Sequence, residues 1–461
     1  METLVQNDIF TQQSSILVDN SIQRMQYTSF IPQTKAGFDG NSEVIEIDIP
    51  ASDSYYNPSK SFLKIKGRIL RNDNDNPYDA NAQIALINNA IPYLFSNIEY
   101  SLGGKVMETL HYPGQTTSML GYLSYPDDFN SSAGLNQCWT KDTNINADST
   151  MYTDSPPVVA GAAIPDGRFT PQNNPNYNEG FAKRRQLLMN NDSPGQFSFN
   201  IPFSHIFGFA EYNKVLYNLR HTLRLTRNNS NLAIHKPNND VNEGKVSLTD
   251  IRWVMPRIKP SVEMITTLRE SVLSKKEIPI SFSSRNDQHT IVTADVQEYE
   301  WMINRSSGIE KPRWIIVGFQ TDKGSTQEQN PAVFDHLNLT SAFVELNDER
   351  YPTDETRINF ATNDYVDFCA MADEFKREHY EFNHLIGGTQ IDMINYKKLF
   401  PLIVFDVRHQ SELVKSNVMT MKLNFKFSQN VPANTHMFVT IISDRLLILT
   451  SDGQTPIIIN Y

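Results

Sequence analysis

The chain has 461 residues, of which 39% are hydrophobic and 20% charged, and its formal net charge is −11 at pH 7. This length suits two large β-domains, each able to form a core without a disulfide or a metal ion. The two cysteines, Cys138 and Cys369, lie far apart and outside any CxxC motif, which excludes a disulfide framework and a cysteine-based zinc site. The acidic balance argues against a protein that binds nucleic acid by neutralising its phosphates.

The first 40 residues show no signal-peptide pattern, and no apolar stretch of the chain approaches the roughly 20 residues that span a bilayer. We therefore expect a protein made and kept in a reducing compartment. Residues 1–40 carry only Arg24 and Lys35 as strong bases, and their apolar residues are separated by Gln, Ser and Thr without strand regularity. This composition predicts an N-terminal arm that orders on assembly.

Hydrophobic residues alternate with polar ones along much of the chain, and this period of two predicts β-strands with one solvated face. In chain order, the alternating segments are residues 43–50, 62–70, 197–203, 219–227, 278–282 and 419–428. Continuous apolar runs predict strands covered on both faces, and they occupy residues 314–319, 402–405 and 446–449. The predicted fold class is therefore all-β.

Helical spacing is confined to short segments. After Ser261, which can cap a helix, one apolar stripe runs along residues 262–273, and a second runs along residues 365–375. The first helix lies between strand-like segments, so we place the domain boundary there, near Arg269. The predicted division is an arm over residues 1–40, a first domain over 41–260, a linker helix over 261–274 and a second domain over 275–461.

Two segments rich in Pro, Gly, Asn, Asp and Ser predict long loops, at residues 125–179 and 321–331. A loop as long as the first is uncommon in a compact domain unless it has a function. It carries Asp127, Asp128, Asp142, Asp148, Asp154, Asp166 and Glu179 against Lys141 and Arg168. Because phosphates would repel this charge, we expect the loop to project outward from one end of the first domain and to have no catalytic function.

No motif for a zinc protease, an α/β-hydrolase, a dinucleotide site or a phosphate-binding loop occurs in the sequence. Residues 72–76 are interpreted as a polar turn, Gly103 and Gly104 as a turn after a strand, and the basic run 183–185 as a solvated face. The ten histidines are scattered. We assign no catalytic, cofactor-binding or metal-binding residue and expect no cofactor.

Several segments, taken in order, resemble the major capsid proteins of the double jelly-roll lineage. The likeness is greatest to Polinton and adintovirus-like elements and extends to virophages and nucleocytoplasmic large DNA viruses. It is carried by residues 199–209, 215–225, 246–256, 262–273, 311–320 and 437–453. The fold that this resemblance implies is two tandem jelly rolls, each an eight-stranded antiparallel sandwich, with short helices in the linker and loops.

The resemblance also implies a structural subunit of a DNA virus that is not an enzyme. Such a subunit forms a homotrimer, a pseudo-hexagonal capsomer that tiles an icosahedral shell in the virion. The expected partners are further copies of the chain together with penton and minor capsid proteins, without direct sequence-specific binding of nucleic acid. An internal membrane and the compartment of assembly, nucleus or cytoplasm, are left open. Residues 1–40 would lie under the shell or reach a neighbouring subunit. Residues 125–179 would be the outermost part of the capsomer.

Two other classes of protein use similar domains. An enzyme on paired jelly rolls, such as a glycan amidase or a copper monooxygenase, is typically secreted and disulfide-bonded, and the monooxygenase needs clustered His and Met ligands. A carbohydrate-binding or attachment protein would be expected to have one sandwich and a fibrous stem. The oligomeric state separates these alternatives, because a stable trimer favours the capsid subunit and a monomer favours the enzyme.

Overall fold

The computed structural model describes residues 21–33, 38–153, 172–190, 192–238, 242–304, 311–381, 391–410, 420–452 and 456–460. Within these ranges, the chain forms two antiparallel β-sandwiches joined by one helix. None of the helices described is long and apolar enough to cross a membrane.

Two four-stranded layers build the first sandwich. One layer has the order β1-β14-β4-β10, with bounds Ile22–Phe30, Gly244–Pro260, Phe62–Arg71 and Gln196–Pro202. The facing layer has the order β2-β12-β6-β7, with bounds Val44–Ile49, His221–Arg227, Phe95–Leu102 and Lys105–Leu110. Short strands extend or flank these layers: β3 (Tyr55–Tyr56) with β11 (Leu216–Tyr217), β5 (Ala85–Leu86) with β13 (Ile234–His235), and β8 (Tyr152–Thr153) with β9 (Gln172–Asn173).

The second sandwich repeats this arrangement. Its first layer has the order β15-β22-β17-β20, with bounds Ile278–Ile291, Thr435–Ser451, Lys311–Thr321 and Ile403–Asp406. Its second layer has the order β16-β21-β18-β19, with bounds Glu298–Asn304, Thr420–Phe427, Leu339–Leu346 and Glu349–Tyr351. A further strand, β23 (Pro456–Asn460), pairs with β22.

Both sandwiches follow one topology. If the eight main strands of each are counted along the chain, one layer is always ordered first-eighth-third-sixth and the other second-seventh-fourth-fifth. This connectivity defines a jelly roll, in which two Greek keys close an antiparallel sandwich. The predicted fold class, two tandem jelly rolls, is confirmed, although the two halves share no sequence repeat that we could identify.

Helices lie in the connections and not in the layers. They are α1 (Ala90–Tyr93), α2 (Pro113–Ser124), α3 (Glu179–Met189), α4 (Phe203–Ile206), α5 (Val262–Leu273), α6 (Val366–His379) and α7 (Met393–Lys398). The predicted linker helix is α5, and the Ser261 side chain accepts a hydrogen bond from Met264 N as its cap. In both sandwiches, helices follow the fifth strand: α2 comes after β7 and α6 comes after β19.

Alternation of side chains explains why these segments are strands. In β21, Met421, Leu423, Phe425 and Phe427 are buried, whereas the residues between them are at least partly exposed. The predicted strands at 43–50, 62–70, 197–203, 219–227 and 278–282 show the same alternation. The runs 314–319 and 402–405 are buried on both faces, as expected. The run 446–449 is not, since Leu446 is 41% exposed.

The N-terminal prediction is wrong for residues 22–30. These residues form the first strand of a layer, β1, and pair antiparallel with β14 from Ile22–Pro260 to Phe30–Trp253. Most side chains of β1 remain exposed in the single chain, and for this reason the sequence lacks the alternation of a half-buried strand. The rest of the predicted arm up to residue 20 lies outside the described residues.

Truncating Phe425 should destabilise the second sandwich. The side chain is 1% exposed and packs edge-to-face on Phe319 at 5.2 Å between ring centroids. We expect Phe425→Ala to lower the free energy of unfolding by ~3–5 kcal/mol, measured by urea denaturation. The neighbouring variant Lys426→Ala loses only an exposed ion pair with Glu298 and should change it by less than ~1 kcal/mol. Equal effects of both substitutions would contradict the assigned register.

Candidate functional site

The contact between the two jelly rolls is a buried polar site built from charged residues of both rolls. It brings the fifth strand of the first roll, β7, and the helix that follows it, α2, against the first and eighth strands of the second roll, β15 and β22. Because β15 pairs only with β22 in its layer, its other edge presents unpaired backbone groups that must find partners in the first roll.

A buried carboxylate caps one backbone N–H of this edge. Glu108, on β7 and 3% exposed, accepts a hydrogen bond from Arg285 N of β15 at 2.7 Å. It also accepts from Gly208 N at 3.2 Å and Phe209 N at 2.7 Å. A Cβ atom added to Gly208 would lie 1.8 Å from Ser283 O, so a glycine allows the two backbones to approach this closely. One side chain therefore joins three segments of the chain.

A second carboxylate makes the reciprocal contact. Asp287, on β15 and 4% exposed, accepts from His111 N at 2.9 Å and Tyr112 N at 2.5 Å, at the end of β7. Burial raises the pKa of Asp287, and the backbone N–H donors oppose that rise. Each roll thus contributes a carboxylate that caps backbone N–H groups of the other.

Two arginines of the second roll cap carbonyl groups of the first. Arg285 donates to His205 O at 2.8 Å and Ser204 O at 3.0 Å. Arg445, on β22, donates to Met107 O and Val106 O along β7. These charge-assisted hydrogen bonds are stronger than neutral ones, and they hold α4 against β15 and β7 against β22.

A chain of neutral groups extends the junction into the first roll. Asn89 donates its amide N–H groups to Thr117 and Ser118, so its Oδ1 is the acceptor for His205 Nε2 at 2.9 Å. His205 Nδ1 is then free to accept from Tyr125 Oη at 2.7 Å. Burial, assisted by Arg285, lowers the pKa of His205 to about 3. The histidine is therefore neutral, a satisfied core residue and not a proton-transfer group.

The two long loops also take part in the contact between the rolls. Trp139 and Asp142 are both 0% exposed, and Gln327 is 1% exposed. Asn330 Nδ2 donates to Asp142 Oδ2 at 2.9 Å, and Gln327 pairs through its side-chain amide with the backbone of Gly244. These contacts anchor parts of the loop in the interior, whereas many residues of 125–153 are exposed, and the projection of the loop stays a prediction. The part of the loop from 154 to 171 lies outside the described residues.

Arg184 also corrects the sequence analysis. The run 183–185 was expected to be solvated, but Arg184 is 1% exposed and forms an ion pair with Asp142 at 2.5 Å. Its other N–H groups donate to Leu86 O and Thr140 O. Asp142 accepts a further hydrogen bond from Asn178. Each nitrogen of the guanidinium and each oxygen of the carboxylate thus has a hydrogen-bond partner, which is the condition under which buried charges are tolerated.

A cleft of about 610 Å³ lies beside the junction, lined by residues of both rolls. Here His289 Nε2 lies 2.8 Å from His436 Nδ1, so one imidazole donates to the other. Burial and the neighbouring His436 lower the pKa of His289 to about 4. Among the described residues, no group of three His, Cys, Asp or Glu side chains is suited to a metal ion. Cys138 is buried and Cys369 partly buried, and both are free thiols.

The residues of the junction were not identified from the sequence. Glu108 and Arg285 are 177 positions apart, and Asp142 and Arg184 are 42 apart. The sequence offered little signal for them, because the strand predicted at residues 278–282 ends before Arg285 and Asp287, which the structure places on the same strand. Only the pairing of β15 with β22 and its contact with β7 give these charges their partners.

Glu108 should make the stability of the protein depend on pH. Burial raises the pKa of Glu108 to about 7 despite Arg285 and three N–H donors. Because the pKa of Glu108 in the folded protein exceeds that of an unfolded glutamate, protonated Glu108 stabilises the folded state. This contribution to stability is complete below about pH 4 and is lost as pH rises through 7. The variant Glu108→Gln has no such titration. We expect its stability deficit relative to wild type to be ~1–3 kcal/mol smaller at pH 8 than at pH 5.

Urea unfolding of both proteins at the two pH values measures this deficit. Buried histidines such as His205 and His221 titrate in both proteins, so their contribution cancels in the comparison. A deficit that does not change between pH 5 and pH 8 would show that Glu108 is not protonated in the folded protein.

Breaking the buried ion pair should be costly. Arg184→Met leaves Asp142 charged and buried, and we expect a loss of ~3–5 kcal/mol in the free energy of unfolding. Lys183, its neighbour on α3, forms an exposed pair with Glu179, and Lys183→Met should cost less than ~1 kcal/mol. Asp142→Asn added to Arg184→Met should recover part of the loss. No recovery would argue that packing, and not the unpaired charge, accounts for it.

Comparisons with known proteins agree with this architecture. No curated protein sequence matches the chain. The solved structure of the Sputnik virophage is similar with a TM-score of 0.62 at 12% identity, over 100% of this chain and 93% of that one. The mavirus major capsid protein gives a TM-score of 0.51 at 12% identity, over 100% and 96% of the two chains. The capsid of the virus PBCV-1 gives 0.54 at 11% identity, over 97% and 99%.

Identities this low establish the fold alone, and the family follows from the sequence match. The family model described as the double jelly roll-like domain matches residues 170–447, more than half of the chain. The match begins before the last three strands of the first roll and ends within the last main strand of the second. The chain therefore belongs to the double jelly roll-like domain family.

Proposed function

We propose that the chain is a structural major capsid protein, whose homotrimer is a pseudo-hexagonal capsomer of an icosahedral virion shell. The observation that carries this proposal is the pair of jelly rolls with one topology, held side by side by a buried junction. The mavirus structure that it resembles is that of a major capsid protein, and the PBCV-1 structure is that of a virus capsid.

Symmetry makes this architecture suitable for a shell. Each jelly roll would be one wall of the capsomer. A chain whose two walls are equivalent and set at a fixed angle presents six walls when three copies close around one axis. The junction supports a fixed angle because carboxylates, arginines and both hydrophobic cores cross it: Trp139 packs with the second core and Phe282 with the first. A flexible linker between the rolls would not define a tile of one shape.

The chemistry of the site favours a structural role over an enzymatic one. The buried carboxylates Glu108 and Asp287 accept hydrogen bonds from backbone N–H groups, and His205 is neutral and enclosed. These groups bind parts of the same chain and are not presented to a substrate. We therefore interpret the carboxylates as structural, and the carbohydrate-binding and enzymatic alternatives receive no specific support from them.

The proposal includes the domain limits and partners. The first roll would begin near residue 22 and not at 41, because β1 completes its layer. Residues 261–274 would be the linker, and the second roll would follow to the end of the chain. Further copies of the chain, penton and minor capsid proteins are the proposed partners, the virion is the proposed location, and direct sequence-specific binding of nucleic acid is not part of the function.

The molar mass in solution tests the trimer. The chain has a mass of 52.7 kDa, so light scattering coupled to gel filtration should give a mass about three times larger at micromolar concentration, as a closed heterologous assembly requires. A monomer at that concentration would contradict the proposal and favour the enzyme alternative.

A further inference from the structure

The junction inside one chain identifies the surfaces that would meet between chains. In the chain, the fifth-strand side of the first roll, β7 and α2, covers the first-strand edge of the second roll, β15. Because the rolls share one topology, two corresponding surfaces remain that no equivalent surface of the same chain covers, although α6 also contacts α2. They are the first-strand edge of the first roll, which we call the β1 face (residues 22–31 and 251–260), and the fifth-strand side of the second roll, which we call the β19 face (residues 348–381).

Burial distinguishes these surfaces from their covered equivalents. On β15, Ser284, Arg285 and Asp287 are at most 8% exposed. On β1, the corresponding first strand, six consecutive residues from Ile22 are exposed. Likewise, Met107 and Glu108 of β7 are buried, whereas β19 has no buried residue. An exposed edge strand of this length is a site for association in most proteins unless it is protected.

The charges of the two faces are opposite. The β1 face contains four cations and no carboxylate: Arg24, Arg252, Arg257 and Lys259. Arg252 pairs with Asp250 just outside the face. For the other three, no carboxylate within the described part of the chain lies within ion-pair distance. The β19 face contains ten carboxylates against four Lys or Arg residues. Complementary charges of this kind steer association and fix its register.

Exposed apolar side chains accompany these charges. On the β1 face they are Ile22, Met25, Tyr27 and Ile31, with 43–51% of their surface exposed. On the β19 face, Val366 is 55% exposed. A surface that combines apolar residues with charges of one sign is typical of a protein interface.

From these observations we infer that the β1 face of one copy binds the β19 face of the next copy. This inference rests on the proposed trimer and specifies its interface. The contact is heterologous, because two different surfaces meet, and it repeats around a closed ring of three chains. The first-strand edge of the second roll is then covered within its own chain, and the first-strand edge of the first roll is covered by the neighbouring chain.

Charge reversal on each face tests the inference. The first variant carries Arg24→Glu, Arg257→Glu and Lys259→Glu, and the second carries Glu349→Lys, Asp354→Lys and Asp367→Lys. All six positions are exposed, so folding should be unaffected, which circular dichroism and thermal unfolding check. A control variant reverses three charges outside both faces: Lys105→Glu, Lys183→Glu and Arg220→Glu.

Each single-face variant should dissociate at least tenfold more readily than wild type in light scattering, whereas the control should remain trimeric. Combining all six reversals in one chain should restore the trimer, because the two faces are again complementary. If wild type is trimeric and both single-face variants stay trimeric, or if the combined variant dissociates like the single ones, the assigned interface is wrong while the trimer stands. If wild type itself is monomeric, the proposed function fails.

Discussion

The free edge of β15 is the constraint on which the arrangement of the molecule depends. The first strand of the second roll pairs on one side only, and its remaining backbone groups would attract other strands or cost free energy if buried without partners. Glu108 accepts from Arg285 N, and Asp287 accepts from the chain at the end of β7. A carboxylate of the first roll thus caps one N–H of this edge, and a carboxylate of the edge caps two N–H groups of the first roll, without a ninth strand. This solution fixes the two rolls side by side without merging their layers into one sheet.

The strands were predictable from the sequence, because one face of a sandwich strand is buried and the other solvated. The alternation in β21 predicts its bounds and its inward residues. The strand β1 was not predictable in this way, since both of its faces are largely exposed in one chain and burial imposes no pattern. If the inferred interface is correct, β1 becomes buried only in the trimer. The alternation of apolar and polar residues is then missing because burial within one chain does not act on this strand.

The junction was beyond the reach of sequence reasoning for a different reason. Its contacts join residues far apart in the chain, such as Glu108 with Arg285 and Asp142 with Asn330, and no periodicity connects them. Local composition was misleading in two cases. The Asp-rich segment around Asp142 suggested a solvated loop, and Lys183 and Arg185 made Arg184 resemble one member of a surface charge run. In both cases the tertiary structure pairs the charge in the interior.

The likeness to viral structures at about 12% identity has a simple physical basis. A jelly roll requires alternating strands, turns and two filled cores, and many sequences meet these requirements. Electron microscopy of the purified protein tests the central claim, that two equivalent walls at a fixed angle form a tile, most directly. The account predicts particles with three-fold symmetry and a nearly hexagonal outline of six walls. A field of separate two-lobed particles at the same concentration would contradict it.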